Sequence, residues 1–356
     1  MRKAPTKIVI AAGGTAGHVI PALAVADALR AEGAEVVFIG GDRAEVELVP
    51  AAGYQLHRID VEGLSRSSPL RALRAVARAV TAFLRARRLL GELRADAVMG
   101  AGGYVAGPVG LAAVTRSIPL VLTEADSHLG LTNRLLAARA RRVCLAFEIE
   151  GRTGPRYLLT GRPAPALRHE RKSARARLGI ADGERCVLVF GGSLGARSIN
   201  QAALEAFADG RFRVLHVSGR RDYPELQRKP RPQRYELLEY LDHDQFSQAL
   251  AAADLVVARA GGSVMEIAQH GLPAILVPYP HASSDHQTVN ARWMANAGAA
   301  IVIADSELTP RLLAQSANEL LDDPPRLQAM ASASLELARP GAAEEVAREL
   351  LRAARR

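Results

Sequence analysis

A doubly wound α/β architecture, built from two Rossmann-like halves with parallel sheets, is the fold class that this chain of 356 residues predicts. Three observations predict it. Short apolar runs alternate with amphipathic helical stretches along the whole chain. Several of those runs end in dense glycine turns that open directly into a helix, as at Gly13-Gly14-Thr15 and Gly102-Gly103-Tyr104. The opening layout of strand, paired glycines, hydroxyl and helix then restarts at Cys186–Phe190 and Gly191-Gly192-Ser193. At about 150 residues per domain, the length suits two domains with separate cores.

The first strand, Lys7–Ala12, turns at Gly13–His18 into a helix through Arg30. The turn has no clean GxGxxG, and the next strand, Val36–Ile39, ends in Gly40-Gly41 rather than an acid, which disfavours a nicotinamide dinucleotide. Thr15 and His18 read equally as a cap with a first-turn residue, or as a backbone cradle beside an imidazole. A strand at Gln55–Ile59 precedes a basic amphipathic helix with Ser68 as N-cap and Pro69 at its first position. Arg71, Arg74, Arg78 and Arg85 share one stripe of that helix, and Leu73, Val76, Val80, Phe83, Leu84 and Leu90 lie beside or opposite it. The stripe fits either a solvated face or a surface that meets anionic lipid.

The strand Asp96–Met99 leads into the Gly100–Pro108 turn, and Pro119–Thr123 ends in Glu124-Ala125-Asp126, ahead of a helix at Leu131-Thr132-Asn133. Two carboxylates past a strand end suit either general-base work or turn capping. Proline-rich residues 160–165 mark a boundary, giving domains 1–161 and 162–339, with the last helix, 340–356, packing back on the first. In the second half, strands at Arg213–Val217 and Tyr235–Glu239 precede Tyr240-Leu241-Asp242. The stretch 253–291 carries the densest signal. A strand at Leu255–Ala258 turns at Gly261-Gly262 into a helix from Ser263, and a strand at Ala274–Val277 runs to Asp285-His286-Gln287. From there to Ala338 the pattern reads as helix. Ser263 and Glu266 have capping-box spacing, but a carboxylate there equally suits a ribose diol.

With 49% hydrophobic and 23% charged residues the chain is globular. No apolar run approaches the roughly 20 residues of a membrane span, and the N-terminus passes straight into a strand without a secretory signal, so a cytosolic location is expected. Cys144 and Cys186 lie in apolar runs and read as small buried hydrophobes. The net charge of +9 comes almost wholly from arginine and favours anionic partners: nucleic acid, membrane or phosphates. Nucleic acid is disfavoured, because aromatics are few and the arginine stripe adjoins apolar surface instead of stacking platforms.

Taken together and in order, GGTAGHVIPALAVA, GGYVAGP, LTNRLLA, GGSLGA and RAGG…E…GLPAILVPYP…DHQ…NA resemble the MurG family over essentially the whole chain. These are the UDP-N-acetylglucosamine:N-acetylmuramyl-(pentapeptide) pyrophosphoryl-undecaprenol N-acetylglucosaminyltransferases of bacterial peptidoglycan synthesis. The resemblance implies a GT-B fold with its site in the cleft between the halves. It also implies inverting transfer of N-acetylglucosamine to the membrane-bound lipid I, giving lipid II, at the cytoplasmic face of the membrane. Cell-wall and division proteins are the candidate protein partners.

Carried over by position, the resemblance puts Ser193, Gly262 and Ser263 at the donor diphosphate. It puts Glu266 at the ribose hydroxyls, the Leu241 backbone at the uracil edge and Gln287 at the sugar. Thr15, Ala16, Gly17 and the turn with Gly103 and Tyr104 would serve the acceptor diphosphate, and Asn133 lies in a matched motif. Two positions depart from the pattern. The family's His-Glu-Gln-Asn is Thr123-Glu124-Ala125-Asp126 here, so an Asp stands where an Asn meets the donor sugar. The family's Gly-Asn-Pro-Val-Arg is Gly161-Arg162-Pro163-Ala164-Pro165, which leaves Arg162 as the replacement for a donor-side arginine. His18 is the first choice of general base, Glu124 the second and Asp126 the third. No cofactor is expected beyond the donor substrate, since no metal-ligand spacing is evident; stimulation by magnesium stays open. The rivals are a glycolipid synthase or UDP-sugar epimerase of the same fold.

Overall fold

The structure, a computed structural model, describes residues 5–61, 69–165, 169–192, 195–282 and 285–355, with the side chains of 69–77 outside the description. The chain divides into two compact units, Met1–Ala166 with Arg339–Arg356, and Leu167–Ala338.

Unit 1 holds a parallel sheet of seven strands among its described residues, in the order β3-β2-β1-β4-β5-β6-β7. These are β1 (Lys7–Ala11), β2 (Glu35–Gly40), β3 (Gln55–Arg58), β4 (Ala97–Gly100), β5 (Leu120–Glu124), β6 (Arg142–Leu145) and β7 (Tyr157–Leu159). The crossovers are α1 (Ala16–Ala31), α2 (Ala44–Ala51), α3 (Pro69–Glu92), α4 (Ala106–Thr115) and α5 (Leu131–Leu136). Central strands bury both faces, which is why β1 and β4 read as unbroken apolar runs.

Unit 2 repeats the plan with six strands, in the order β10-β9-β8-β11-β12-β13. They are β8 (Cys186–Phe190), β9 (Arg213–Val217), β10 (Tyr235–Leu238), β11 (Leu255–Ala258), β12 (Ala274–Leu276) and β13 (Ala300–Val302). Around them lie α6 (Arg171–Arg177), α7 (Arg197–Ala206), α8 (Tyr223–Leu226), α9 (His243–Ala252), α10 (Val264–Gln269), α11 (His286–Asn296), α12 (Pro310–Leu321) and α13 (Pro324–Leu337). The last helix, α14 (Ala342–Ala354), belongs to unit 1. Its Ala343, Val346, Ala347 and Leu350 join Ile8, Ile10, Val25 and Leu29 in one core. A chain end that buries a full apolar stripe in this way is tied down rather than frayed.

One expectation is corrected, and two features that the sequence left open are resolved. The helical reading from Asp285 to Ala338 is interrupted by β13, an edge strand of three residues too short to show a period. Strand β7, equally short, also escaped the pattern. In α3 the buried row is Ala82, Ala86 and Leu90, whereas Val80 is 53% and Leu84 57% exposed. Small residues let that helix pack closely on α4, while Val80 and Leu84 face outward. Arg85 is exposed and Arg78 lies 3.9 Å from Asp60; Ser68 and the side chains of Leu73, Arg71, Arg74 and Val76 fall outside the described residues. Among the described residues, no helix is long and apolar enough to cross a membrane.

Candidate functional site

In each unit the polar turns gather at the carboxyl ends of parallel strands, where diverging crossovers leave backbone groups open to a ligand. The geometry of unit 1 centres on two abutting turns. Gly102 and Gly103 take φ of +85° and +71°, a left-handed conformation that favours glycine. A side chain on Gly103 would collide with the Gly13 carbonyl, and one on Gly102 would come within 2.9 Å of His18 Nδ1. The imidazole therefore rests against the second turn while growing from the first turn of α1. Thr15 occupies the N-cap position of α1 without a side-chain cap bond.

Arg162, the replacement for a donor-side arginine, donates from Nη2 to Gly17 O at 2.7 Å, in the first turn of α1. Strands β7 and β1 belong to one parallel sheet, so the segments past their carboxyl ends share one edge and residues 145 apart in sequence meet there. Burial, and then the Arg162 guanidinium, hold His18 below the usual imidazole value, against a smaller upward pull from Asp126. A neutral imidazole at the mouth of a glycine turn is a ready proton acceptor near pH 7.

Glu124, the second candidate for general base, is engaged by donors of its own loop and of α5. It is 8% exposed, and its oxygens accept from Asp126 N at 3.2 Å, Gly130 N at 2.8 Å and Asn133 Nδ2 at 2.9 Å. Burial raises its pKa, and the hydrogen bonds oppose that rise. A carboxylate spent on three donors positions the loop 125–130; Asp126, half-buried on that loop, is the group it presents. Asn133, expected among the ligand contacts, is itself buried and also donates to Thr123 O at 3.0 Å, so it braces the same loop from within. Tyr104 lies under the Arg43 guanidinium, 5.3 Å from the ring centre, and its buried hydroxyl has no hydrogen-bond partner among the described residues.

In unit 2 the turn after β8 includes Ser193, which lies outside the described residues. Its far end is fixed: Gly195, at φ +82°, packs on Ser218 O where a side chain would collide. Asn200 donates to Ser218 O and to Asp222 Oδ2, both at 2.9 Å, and Asp222 pairs with Arg197 and Arg221. Ser263 makes no side-chain cap bond, and its φ and ψ are already helical, so the capping box read at Ser263 and Glu266 is absent. The true capping box is Asp242 with Gln245, which closes the start of α9 immediately after Leu241. Glu266 stands half-buried in the first turn of α10. Gln287 Oε1 accepts from Tyr279 N at 2.9 Å, which engages its side-chain carbonyl.

Two side chains of the RAGG…NA motif to which the sequence assigned no role, the buried Asn290 and the half-buried Arg259, brace the strand ends around the Gly261-Gly262 turn. Asn290 donates to Ala260 O at 3.0 Å. Arg259 reaches Val277 O, Pro278 O, Asp305 and Ser198, tying the ends of three elements together. The available signal was an arginine immediately after a buried strand, where a charge needs several partners. Both cysteines are buried and free, and burial pushes their thiols up to about 12. Among the described residues no group of three or more His, Cys, Asp or Glu is gathered for a metal.

Two parallel-sheet α/β units with loop-borne polar groups at the strand ends define a GT-B glycosyltransferase, and the two halves match separately. Residues 8–145 match the glycosyltransferase family 28 N-terminal domain and residues 186–346 the glycosyltransferase family 28 C-terminal domain. A Moorella thermoacetica protein is 41% identical over 97% of this chain and 98% of its own length. One from Acidithiobacillus ferrooxidans is 42% identical over 96% of each. Both are named UDP-N-acetylglucosamine--N-acetylmuramyl-(pentapeptide) pyrophosphoryl-undecaprenol N-acetylglucosamine transferase. The crystal structure of Acinetobacter baumannii MurG superposes with a TM-score of 0.78 at 32% identity, covering 98% of this chain and 100% of that one. The chain belongs to the MurG family. A Neisseria meningitidis UDP-GlcNAc 2-epimerase, at 13% identity and a TM-score of 0.69, shares the fold alone.

Proposed function

We propose that the protein transfers N-acetylglucosamine from UDP-N-acetylglucosamine to undecaprenyl-pyrophosphoryl-N-acetylmuramyl-pentapeptide, the lipid I to lipid II step of peptidoglycan synthesis. The observation that carries the mechanism is His18, held neutral against the paired glycine turns of unit 1. Its imidazole takes the proton of the acceptor 4-hydroxyl as that oxygen attacks the anomeric carbon. Direct displacement inverts the configuration. Thr15, Ala16, Gly17, Gly103 and Tyr104 hold the acceptor diphosphate, and Arg162 adds a cation beside them.

In unit 2, Ser193 and the N–H groups of Gly262 and Ser263 take up the charge that develops on the departing diphosphate. Glu266 accepts from the ribose diol, Leu241 presents its backbone to the uracil edge, and Gln287 offers its amide to the sugar. Asp126 accepts from a sugar hydroxyl where an amide would also donate. Preorganised donors do this work without a metal. The exposed Val80 and Leu84 beside Arg85 form the face that rests on an anionic cytoplasmic membrane surface.

The test is incubation with radiolabelled UDP-N-acetylglucosamine and a lipid I analogue. A labelled disaccharide product supports the reading. Formation of an epimerised UDP-sugar without acceptor, or no product at all, refutes it.

A further inference from the structure

Glu45 is wholly buried, at 0% exposure, yet no step above uses it. It lies in the first turn of α2, and its two oxygens are divided between two different strand ends. Oε2 accepts from Gly14 N at 2.9 Å and Oε1 from Gly41 N at 2.7 Å. It forms no ion pair among the described residues. A buried carboxylate without a counter-cation depends on such N–H donors for its stability there.

The neighbours are shaped to admit it. A side chain on Gly13 would lie 2.8 Å from Glu45 Oε1, and one on Gly40 would lie 2.8 Å from its Cγ. Ala44 N donates to Gly14 O at 3.3 Å, so the Gly14 residue is gripped through its N–H and its carbonyl by consecutive residues of α2. Gly14, at φ +108°, directly precedes Thr15 and the helix that carries His18.

We infer that Glu45 is a positioning residue of the transfer reaction: it clamps the Gly14 turn to the end of β2 and thereby fixes Thr15 and His18 for the acceptor. This deepens the transferase reading and rests on it. An amide in place of the carboxyl keeps the shape but leaves one N–H facing an NH2 group, which opens one half of the clamp.

The experiment compares full-length wild type with Glu45→Gln. Folded Glu45→Gln is expected to show faster hydrogen–deuterium exchange in the peptide spanning Gly13–His18. Its turnover should fall by about ten- to a hundredfold, with a raised KM for the lipid-linked acceptor, while UDP affinity by calorimetry stays within twofold of wild type. A folded variant with turnover within twofold of wild type overturns the inference. So does a loss of UDP affinity in step with turnover, which would make Glu45 a general stabiliser. Should Glu45→Gln fail to fold, Gly41→Ala replaces it, because the added Cβ would come 3.0 Å from Glu45 Oε1 and displace the carboxyl without removing it. Wild-type kinetics in folded Gly41→Ala would then overturn the proposal, and an acceptor-side loss would support it. Wild-type protein that makes no disaccharide sinks the transferase reading, and with it the role in transfer. The exchange data then judge the clamp separately.

Discussion

The acid sensitivity of unit 2 follows from one ring. His216 has 0% exposure in the middle of the sheet, with Nε2 2.9 Å from Asn200 Oδ1 and Nδ1 2.7 Å from Tyr235 Oη. The network fixes its tautomer. Asn200 Nδ2 faces two acceptors, Ser218 O and Asp222 Oδ2, so Asn200 Oδ1 must face the imidazole, which donates from Nε2 and accepts the tyrosine proton at Nδ1. A second ring proton would reverse the bond to Tyr235, forcing its hydroxyl hydrogen to turn away, and would put a charge in a fully buried site. Burial, reinforced by Arg231, accordingly pushes the His216 pKa down from 6.5 to about 3. Because this value lies below that of the unfolded chain, the unfolded state holds more protons between the two, and stability is lost as pH falls through that window.

Well inside the window each pH unit costs about 1.4 kcal/mol, and because the unfolded imidazole is only half protonated at pH 6.5, acidification from pH 6.5 to 4.5 removes about 2.3 kcal/mol through this group alone. That is a large part of a typical ~5–15 kcal/mol of net stability. His216→Gln removes the titration while keeping a polar side chain of similar length. The assay is urea unfolding at several pH values, followed by fluorescence of Trp293, the single tryptophan of the chain, which lies in unit 2. The variant should be less stable at pH 7 but lose about 2.5 kcal/mol less than wild type on going from pH 7 to pH 4.5. Parallel stability curves for the two proteins, or a folded-state ring that protonates near pH 6.5 by nitrogen NMR, would refute the reasoning.

Three further outcomes are expected. If His18 is the base, kcat/KM falls on the acid side as its imidazole protonates. Arg162→Ala should move that limb to higher pH and Asp126→Asn to lower pH, since the two charges act on His18 in opposite senses; shifts in the same direction would assign the limb to another group. Leu350→Ala, at a fully buried position of α14, should cost unit 1 about 2–5 kcal/mol, seen as faster amide exchange in β1 and α14. Chelation with excess EDTA should leave turnover within twofold of its starting value, and a larger loss would call for a metal at the departing diphosphate.

The glycine turns at 13–14, 102–103 and 191–192, and the strands that feed them, were legible because strand period and turn chemistry are local properties. The resemblance carried by those same turns named the fold and the reaction class before any coordinate was known. Edge strands β7 and β13 were not legible: three residues hold no period, and only a neighbouring strand makes them strands. Ser263 and Glu266 have the spacing of a capping box without its bonds, while Asp242 and Gln245 form one, because spacing permits a bond and backbone angles decide whether it is made.

What the sequence by itself determined is therefore where the glycines, hydroxyls and imidazole fall relative to strand ends, and so which chemistry the chain can present. Only the tertiary structure decided what each group does there. It turned Glu124 inward onto Gly130 and Asn133, laid Arg162 on Gly17, and joined Glu45 to Gly14 and Gly41. The physical reason is range. A turn is set by the conformational limits of a few consecutive residues, whereas a carboxylate or guanidinium takes its role from donors and acceptors that the folded chain alone brings within about 3 Å.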